Sequence, residues 1–388
     1  MKVFIIAGEP SGDRLGGAVM AGLRSLRPVM QFTGIGGPNM AAQGLVSRFP
    51  MQELSLMGLA EILPQYFHLK RRIAQTAQAV IEQRPDILLT IDSPDFCLRV
   101  ARAVRARVRI RTVHYVAPSV WAWRPGRAAR MAPDVDQVLA LLPFEPPYMQ
   151  AAGMACTFVG HPVVAEALAT PAETAACRAR FGPGPLILAL PGSRRAEVAR
   201  LAPRFGQALA LVAAARPGAQ VLLPAAGPVV DQVRAAAAQW PLPATIIAPA
   251  DDPGGEMKRA AFRAADVALA ASGTVSLELA ANGTPMVIGY DMAPLTRAIV
   301  ARMLRIDTVT LVNLVSDTRT IPEFIGTACQ PGPMAAALLR TLDDPAAQHA
   351  AMALTMARLG RGGEAPGLRA ARAIVDGFTG AAPGASQT

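Results

Sequence analysis

The chain has 388 residues, 52% of them hydrophobic, with 38 basic against 28 acidic residues and a formal net charge of +10. That length suits two domains of roughly 150–200 residues rather than one core, and the apolar share is ample for both. All but three of the basic residues (Lys2, Lys70, Lys258) are arginines, dispersed along the chain with no basic tail or aromatic sheet motif, which argues against a nucleic-acid-binding protein.

Cys97, Cys156, Cys177 and Cys329 form no CxxC pair, and the four histidines are scattered. No metal site is expected, and the thiols suit a reducing compartment. The N-terminus is expected to run straight into a strand, and no signal peptide is expected. No uninterrupted apolar segment reaches the ~18 residues of a membrane span. A cytoplasmic protein is expected, with its charge leaving attraction to phosphates or an anionic membrane surface open.

In chain order, the first apolar run is VFIIA (3–7), followed by the turn AGEPSGD (7–13) and a helical pattern. Strand, glycine-bearing turn and helix in that order often form a phosphate cradle. Here, however, Glu9 and Asp13 bring negative charge to the place a phosphate would occupy. Strands are then expected at 31–36, 86–91, 112–117, 137–142 and 156–160, with helices between most of them, which argues for a parallel sheet covered by helices.

The segment 54–81 is apolar and Met-bearing, with Lys70, Arg71 and Arg72 inside it. It reads as a membrane-facing or acyl-binding element, or as a core helix with a basic outer face. IDSPDF places Asp92 at the end of a buried strand, where a carboxylate can serve as general base. Asp95, three residues on, is a second such carboxylate or a helix cap. The D-S-P-D spacing is not that of a metal-binding pair. Trp121 and Trp123 fall in a loop beside Arg124, Arg127 and Arg130, where they either contact sugar or acyl chain or pack into the core. His114 lies within a strand and reads as structural, and His161 receives no role.

The pattern restarts after a polar, Pro- and Ala-rich boundary at 162–184. LALPGSRRAEV (188–198) is another strand, turn and helix, and the free amides near Gly192 and Ser193 with the Arg194 guanidinium suit a diphosphate. Strands follow at 220–225, 245–249, 266–271 and 286–290. In AASGTVSLELAANG, Ser272, Gly273 and Thr274 offer amides and hydroxyls to phosphate oxygens. Glu278 stands one turn on, on the same helix face as Thr274, where a carboxylate can accept from ribose hydroxyls. Asp251, Asp252, Asp343 and Asp344 read as loop residues. Residues 334–376 look helical, and the final stretch looks disordered.

The ordered set AGEPSGD, GIGGPNM, LSLMGLAEIL, IDSPDF, HYVAPSVWAWRPGR, LLPFE, FVGHP, LPGSRRAEV, ASGTVSLE and LVNL resembles the lipid-A-disaccharide synthases from the first strand to about residue 345. The resemblance implies an α/β glycosyltransferase of the GT-B type: two Rossmann-like doubly wound domains facing across a cleft, with C-terminal helices. Residues 1–165 would be the acceptor-binding domain, 184–345 the UDP-sugar-binding domain, and 346–388 helices and a flexible tail.

The implied reaction moves 2,3-diacylglucosamine from UDP to the 6-hydroxyl of 2,3-diacylglucosamine 1-phosphate, with inversion and without metal or cofactor, at the cytoplasmic face of the inner membrane. Asp92 would be the base. Gly192, Ser193, Arg194, Ser272, Gly273, Thr274, Glu278 and Asn313 (in LVNL) would hold the UDP donor. Glu9, Ser11, Gly12, Asp95, Trp121 and Trp123 would stand on the acceptor side, with Glu9 and Asp95 rivals for the base.

Asp291 after Tyr290, where the family pattern leads one to expect a basic residue, and the loosely matching 250–262 depart from the family pattern. A UDP-sugar epimerase is the alternative on the same architecture, though it would need no acyl-binding surface. A nicotinamide enzyme fails on glycine spacing. Acyl-chain length, oligomeric state (a homo-oligomer stays open) and depth of membrane contact are not encoded legibly.

Overall fold

The computed structural model describes residues 1–54 and 62–379. The chain forms two compact units, Met1–Ala165 together with Gly362–Thr388, and Glu166–Arg361.

The first unit is built on six parallel strands, β1 (Lys2–Ala7), β2 (Gln31–Ile35), β3 (Ile87–Ile91), β4 (Arg111–Tyr115), β5 (Gln137–Ala140) and β6 (Ala155–Phe158), in the order β2-β1-β3-β4-β5-β6. Central strands such as Ile87–Ile91 (ILLTI) are buried throughout, because helices cover both faces and leave no polar alternation. The register pairs Ala7 with Ile91 and Ile91 with Tyr115, so the carboxyl ends of β1, β3 and β4 lie level. After β2 the chain returns to the other side of β1, which makes the β1/β3 carboxyl ends the switch point of this sheet, where ligands of doubly wound folds bind.

The C-terminal helix Pro366–Thr379 belongs to this unit and packs on the helix Pro10–Leu26. Glycine permits the close crossing: a Cβ on Gly22 would stand 2.8 Å from the Gly367 carbonyl oxygen, and one on Gly367 2.8 Å from Ala18. Side chains tie the helix down as well. Gln137 Nε2 donates to the Ala373 carbonyl at 3.0 Å and Arg369 Nη2 to that of Phe158 at 3.1 Å.

The second unit repeats the plan with β7 (Leu186–Leu190), β8 (Gln220–Pro224), β9 (Thr245–Ile247), β10 (Val267–Ala270), β11 (Met286–Tyr290) and β12 (Glu323–Ile325), all parallel, in the order β12-β11-β10-β7-β8-β9. Its switch point lies between β7 and β10. Strand β12 spans three residues and goes unannounced by any apolar run. The stretch 162–184, expected as a linker, contains the helix Pro171–Ala179, started by a Thr170–Glu173 capping box.

Residues 55–61, the apolar head of the stretch expected to meet membrane or acyl chain, and the tail 380–388 lie outside the described residues. The rest of that stretch is the helix Ile62–Gln83. Among the described residues no helix is long and apolar enough to cross a membrane.

Candidate active site

In the second unit the turn after β7 and the turn after β10 meet at the switch point. Together they line a cavity of about 770 Å³ to which Gly192, Ser193, Arg194, Ser272, Gly273, Thr274 and Glu278 all contribute. The sequence singled out these residues from two segments some eighty positions apart. Their convergence follows from β7 and β10 being paired neighbours. Gly192 has φ +116°, and a Cβ there would stand 2.6 Å from the Glu197 side chain. Glycine is therefore required for the turn to fold over Glu197. The helix Val275–Asn282 starts directly after the second turn, and its Ser276 and Leu277 amides donate to the Gly273 (3.2 Å) and Thr274 (2.9 Å) carbonyls of that turn.

Two neighbours of these residues escaped the sequence reading. Glu197 Oε2 accepts from the amides of Ser193 (3.2 Å) and Arg194 (3.3 Å), so a carboxylate braces the turn from below while the Arg194 side chain stays 82% exposed. Its position three residues into the helix Arg195–Ala215 was the available signal. Lys258 Nζ donates to Glu278 Oε2 at 3.0 Å. Asp252, taken for a loop residue, lines the cavity and caps the helix Glu256–Ala264, accepting from the amides of Met257 (3.1 Å) and Lys258 (2.8 Å).

Asn313 requires a correction. It is buried in the helix Leu311–Ser316 and its amide is consumed by the segments flanking that helix: Nδ2 donates to Thr308 Oγ1 (3.2 Å) and the Ile321 carbonyl (3.0 Å), and Oδ1 accepts from Ile321 N–H (3.0 Å). It stands outside the cavity lining and ties Thr308 to Ile321. Asp291, the departure from the family pattern, is buried between Arg204 (2.9 Å) and Arg297 (3.4 Å), so positive charge reaches this corner from other positions.

In the first unit the switch point joins AGEPSGD to IDSPDF. A Cβ on Gly8 would stand 2.5 Å from Ser93 Oγ, and one on Gly12 3.5 Å from the Ile91 carbonyl oxygen. Glu9 and Ser11 are exposed at the start of the helix Pro10–Leu26. Asp13 overturns its expected repulsion of anions. It is 1% exposed and its carboxylate accepts from the amides of Gly37, Asn39 and Met40 and from Asn39 Nδ2, at 2.8–3.0 Å, capping the short helix Pro38–Ala42. The turn therefore presents one exposed acidic side chain, Glu9, rather than two.

Asp92 and Ser93 follow β3 with φ +49° and +41°, and Val116 follows β4 with φ +84°. Left-handed backbone at a β-branched residue and at two successive non-glycines is strained, and strain of this kind gathers at functional sites. The Asp92 amide donates to the Tyr115 carbonyl at 2.9 Å, which fixes the turn. Burial raises the Asp92 pKa above the ordinary carboxylate value, against the lowering effects of the Ser93 amide and Arg127. Asp95 is exposed, 3.5 Å from Arg127; Ser93, not Asp95, occupies the cap position of the helix Pro94–Arg105.

The tryptophans separate. Trp121 packs edge-on to Phe144 (5.0 Å) and donates Nε1–H to Glu145 at 3.3 Å, whereas Trp123 is 37% exposed with the Arg124 guanidinium 4.3 Å above its ring. His114 and His161 are both buried, and burial brings each pKa down to about 4.

A family model described as lipid-A-disaccharide synthetase matches residues 3–365. The lipid-A-disaccharide synthase of Ruegeria pomeroyi is 63% identical over 385 residues, covering 98% of this chain and 96% of that one. The chain belongs to the lipid-A-disaccharide synthetase family. The Rhodospirillum centenum synthase is 46% identical over 388 residues, covering 98% and 95%. A putative UDP-N-acetylglucosamine 2-epimerase from Listeria monocytogenes shares the fold, with TM-score 0.65 at 16% identity over 98% of this chain and 97% of that one.

Membership of the lipid-A-disaccharide synthetase family makes the chain an enzyme, a UDP-sugar glycosyltransferase of lipid A synthesis, on an α/β fold of the GT-B class. The epimerase alternative, by contrast, rests on shared fold alone, which does not carry function.

Proposed function

We propose that the cavity of the second unit holds the UDP of a UDP-diacylglucosamine donor and that Asp92 of the first unit is the base that deprotonates the 6-hydroxyl of a diacylglucosamine 1-phosphate acceptor. The observation that carries this is the convergence of two phosphate-type turns and Glu278 on one cavity. In the reaction the acceptor oxygen forms its bond to the anomeric carbon as the bond to the UDP oxygen breaks on the opposite face, and the proton passes to Asp92. The departing diphosphate gains charge. The amides of Gly273 and Thr274, the hydroxyls of Ser193, Ser272 and Thr274, and Arg194 are the groups to hold it, which is the electrostatic stabilisation a metal-free transfer needs. Glu278 accepts from the ribose.

In this reading the first unit is the acceptor side. The amides of Ser11 and Gly12, which have no partner among the described residues, meet a phosphate, and Glu9 and Asp95 meet sugar hydroxyls. Trp123 meets the sugar or its acyl chains, and Trp121 serves as the anchor of its loop. The apolar stretch entering the helix Ile62–Gln83 and the surplus of arginine suit peripheral contact with an anionic membrane on its cytoplasmic side.

The test is UDP release by the purified enzyme supplied with both diacyl substrates. Release should require the acceptor. Asp92→Asn should lower it by ~10²–10⁴-fold with UDP affinity kept, and Arg194→Ala should weaken UDP binding about tenfold. Near wild-type turnover in the Asn variant overturns the base assignment.

A further inference from the structure

Glu278 lies in an unusual place for a carboxylate: it lines a cavity that, on the reading above, must admit a diphosphate. Its charge is met by Lys258, whose Nζ stands 3.0 Å from Glu278 Oε2. Among the described residues the other oxygen, Oε1, has no hydrogen-bond partner. Lys258 is itself held from two sides. Its backbone amide donates to Asp252 Oδ2 at 2.8 Å, which fixes the start of the helix Glu256–Ala264, and its ammonium lies 5.1 Å from the centre of the Phe262 ring. Gly255, with φ +69°, makes the turn into that helix. Lys258, Phe262 and Glu278 also line a second cavity of about 230 Å³. The ion pair thus stands at the boundary between the two.

We propose that Lys258 is a positioning residue of the donor site. It holds one oxygen of Glu278 so that the other is presented to the ribose hydroxyls, and it cancels a negative charge that would otherwise repel the diphosphate. Both side chains are partly exposed, 49% and 33%, so the pair contributes little to folding. Its effect appears when a ligand excludes water and the local interactions strengthen. The proposal rests on the donor reading of the cavity.

The test is calorimetric titration of UDP into wild type, Lys258→Met, Lys258→Arg, Glu278→Gln and the Met/Gln double variant. Lys258→Met should weaken UDP about tenfold, or ~1.4 kcal/mol, without a change in Tm, and Lys258→Arg should restore affinity to within about threefold. In the Glu278→Gln background the Lys258→Met change should cost less than about twofold. UDP affinity unchanged in Lys258→Met, or an equal loss in both backgrounds, overturns the proposal. Wild type that binds no UDP overturns the donor reading itself, and the proposal with it.

Discussion

The Asp13 carboxylate accepts hydrogen bonds from both the backbone N–H (2.9 Å) and the side-chain amide (2.8 Å) of Asn39, twenty-six residues further along the chain. With the Gly37 and Met40 amides added, these bonds hold the Asp13 pKa below its ordinary value against the opposing effect of burial. Asp13→Asn places an amide N–H against donors and leaves buried N–H groups unpaired, at a cost of about 2–4 kcal/mol. The expected outcome is a lowered Tm with UDP affinity retained by folded protein. The wild-type advantage should shrink on acidification below pH ~4, as Asp13 takes up its proton. An equal gap at neutral and acid pH counts against this account.

Gly8 sits against the turn that carries the proposed base. A Cβ there would stand 2.5 Å from Ser93 Oγ and 3.0 Å from Ser93 Cβ; the hydroxyl can rotate away, but the Cβ contact makes the Asp92–Ser93 turn give by a few tenths of an ångström. Gly8→Ala should therefore reduce kcat, by about threefold to tenfold, and leave UDP affinity unchanged because the donor cavity is lined by other residues. Steady-state kinetics beside calorimetry checks this. A variant with full kcat shows that the turn tolerates the shift.

The fold was legible because both sheets are parallel and covered on two faces, so each central strand is a short unbroken apolar run between turn signals. β12 escaped because three residues, only half-buried, leave no such run. Site legibility followed the same physics. The place of Ser193 and Thr274 at the cavity was legible because it lies in loops at the carboxyl ends of strands. Glu197 left only the signal of its place in the first turn of its helix, and the roles of Lys258 and Asp13 left none, because they depend on partners brought close by the fold. Asn313 shows the converse: a motif fixes a residue's place in the chain but not which groups its amide satisfies.

Glu145 predicts a pH effect on stability. It is buried, accepts from the amides of Leu141 (3.1 Å) and Leu142 (3.0 Å) and from Trp121 Nε1, and burial outweighs these bonds to lift its pKa from 4.5 to about 7. Between those two values the folded state keeps a proton that the unfolded chain releases, so stability falls as pH rises through the window. Glu145→Gln cannot titrate. Whatever its own cost, the wild-type Tm should lose ground to the variant's from pH 4.5 to 7, by an amount equivalent to at most ~3 kcal/mol. Parallel Tm–pH curves for the two proteins would exclude this assignment.

Asp92 predicts a pH effect on catalysis of the opposite sign: activity rises with pH as the carboxyl ionises. A general base must be ionised, and kcat/KM follows the pKa of the free enzyme. Burial raises the Asp92 pKa above 3.8, and Arg127 counters it by attraction to the carboxylate. The acid limb of kcat/KM should therefore lie above the range of an exposed carboxylate. Arg127→Ala removes a positive charge, favours the protonated form, and should move that limb to still higher pH while leaving the rate at alkaline pH comparatively unaffected. The same substitution also releases Asp95, whose Oδ1 lies 3.5 Å from Arg127, so Asp95→Asn is the control: it should leave the limb in place if Asp92 is the base. Loss of turnover at every pH in Asp95→Asn, with turnover kept in Asp92→Asn, transfers the role to Asp95.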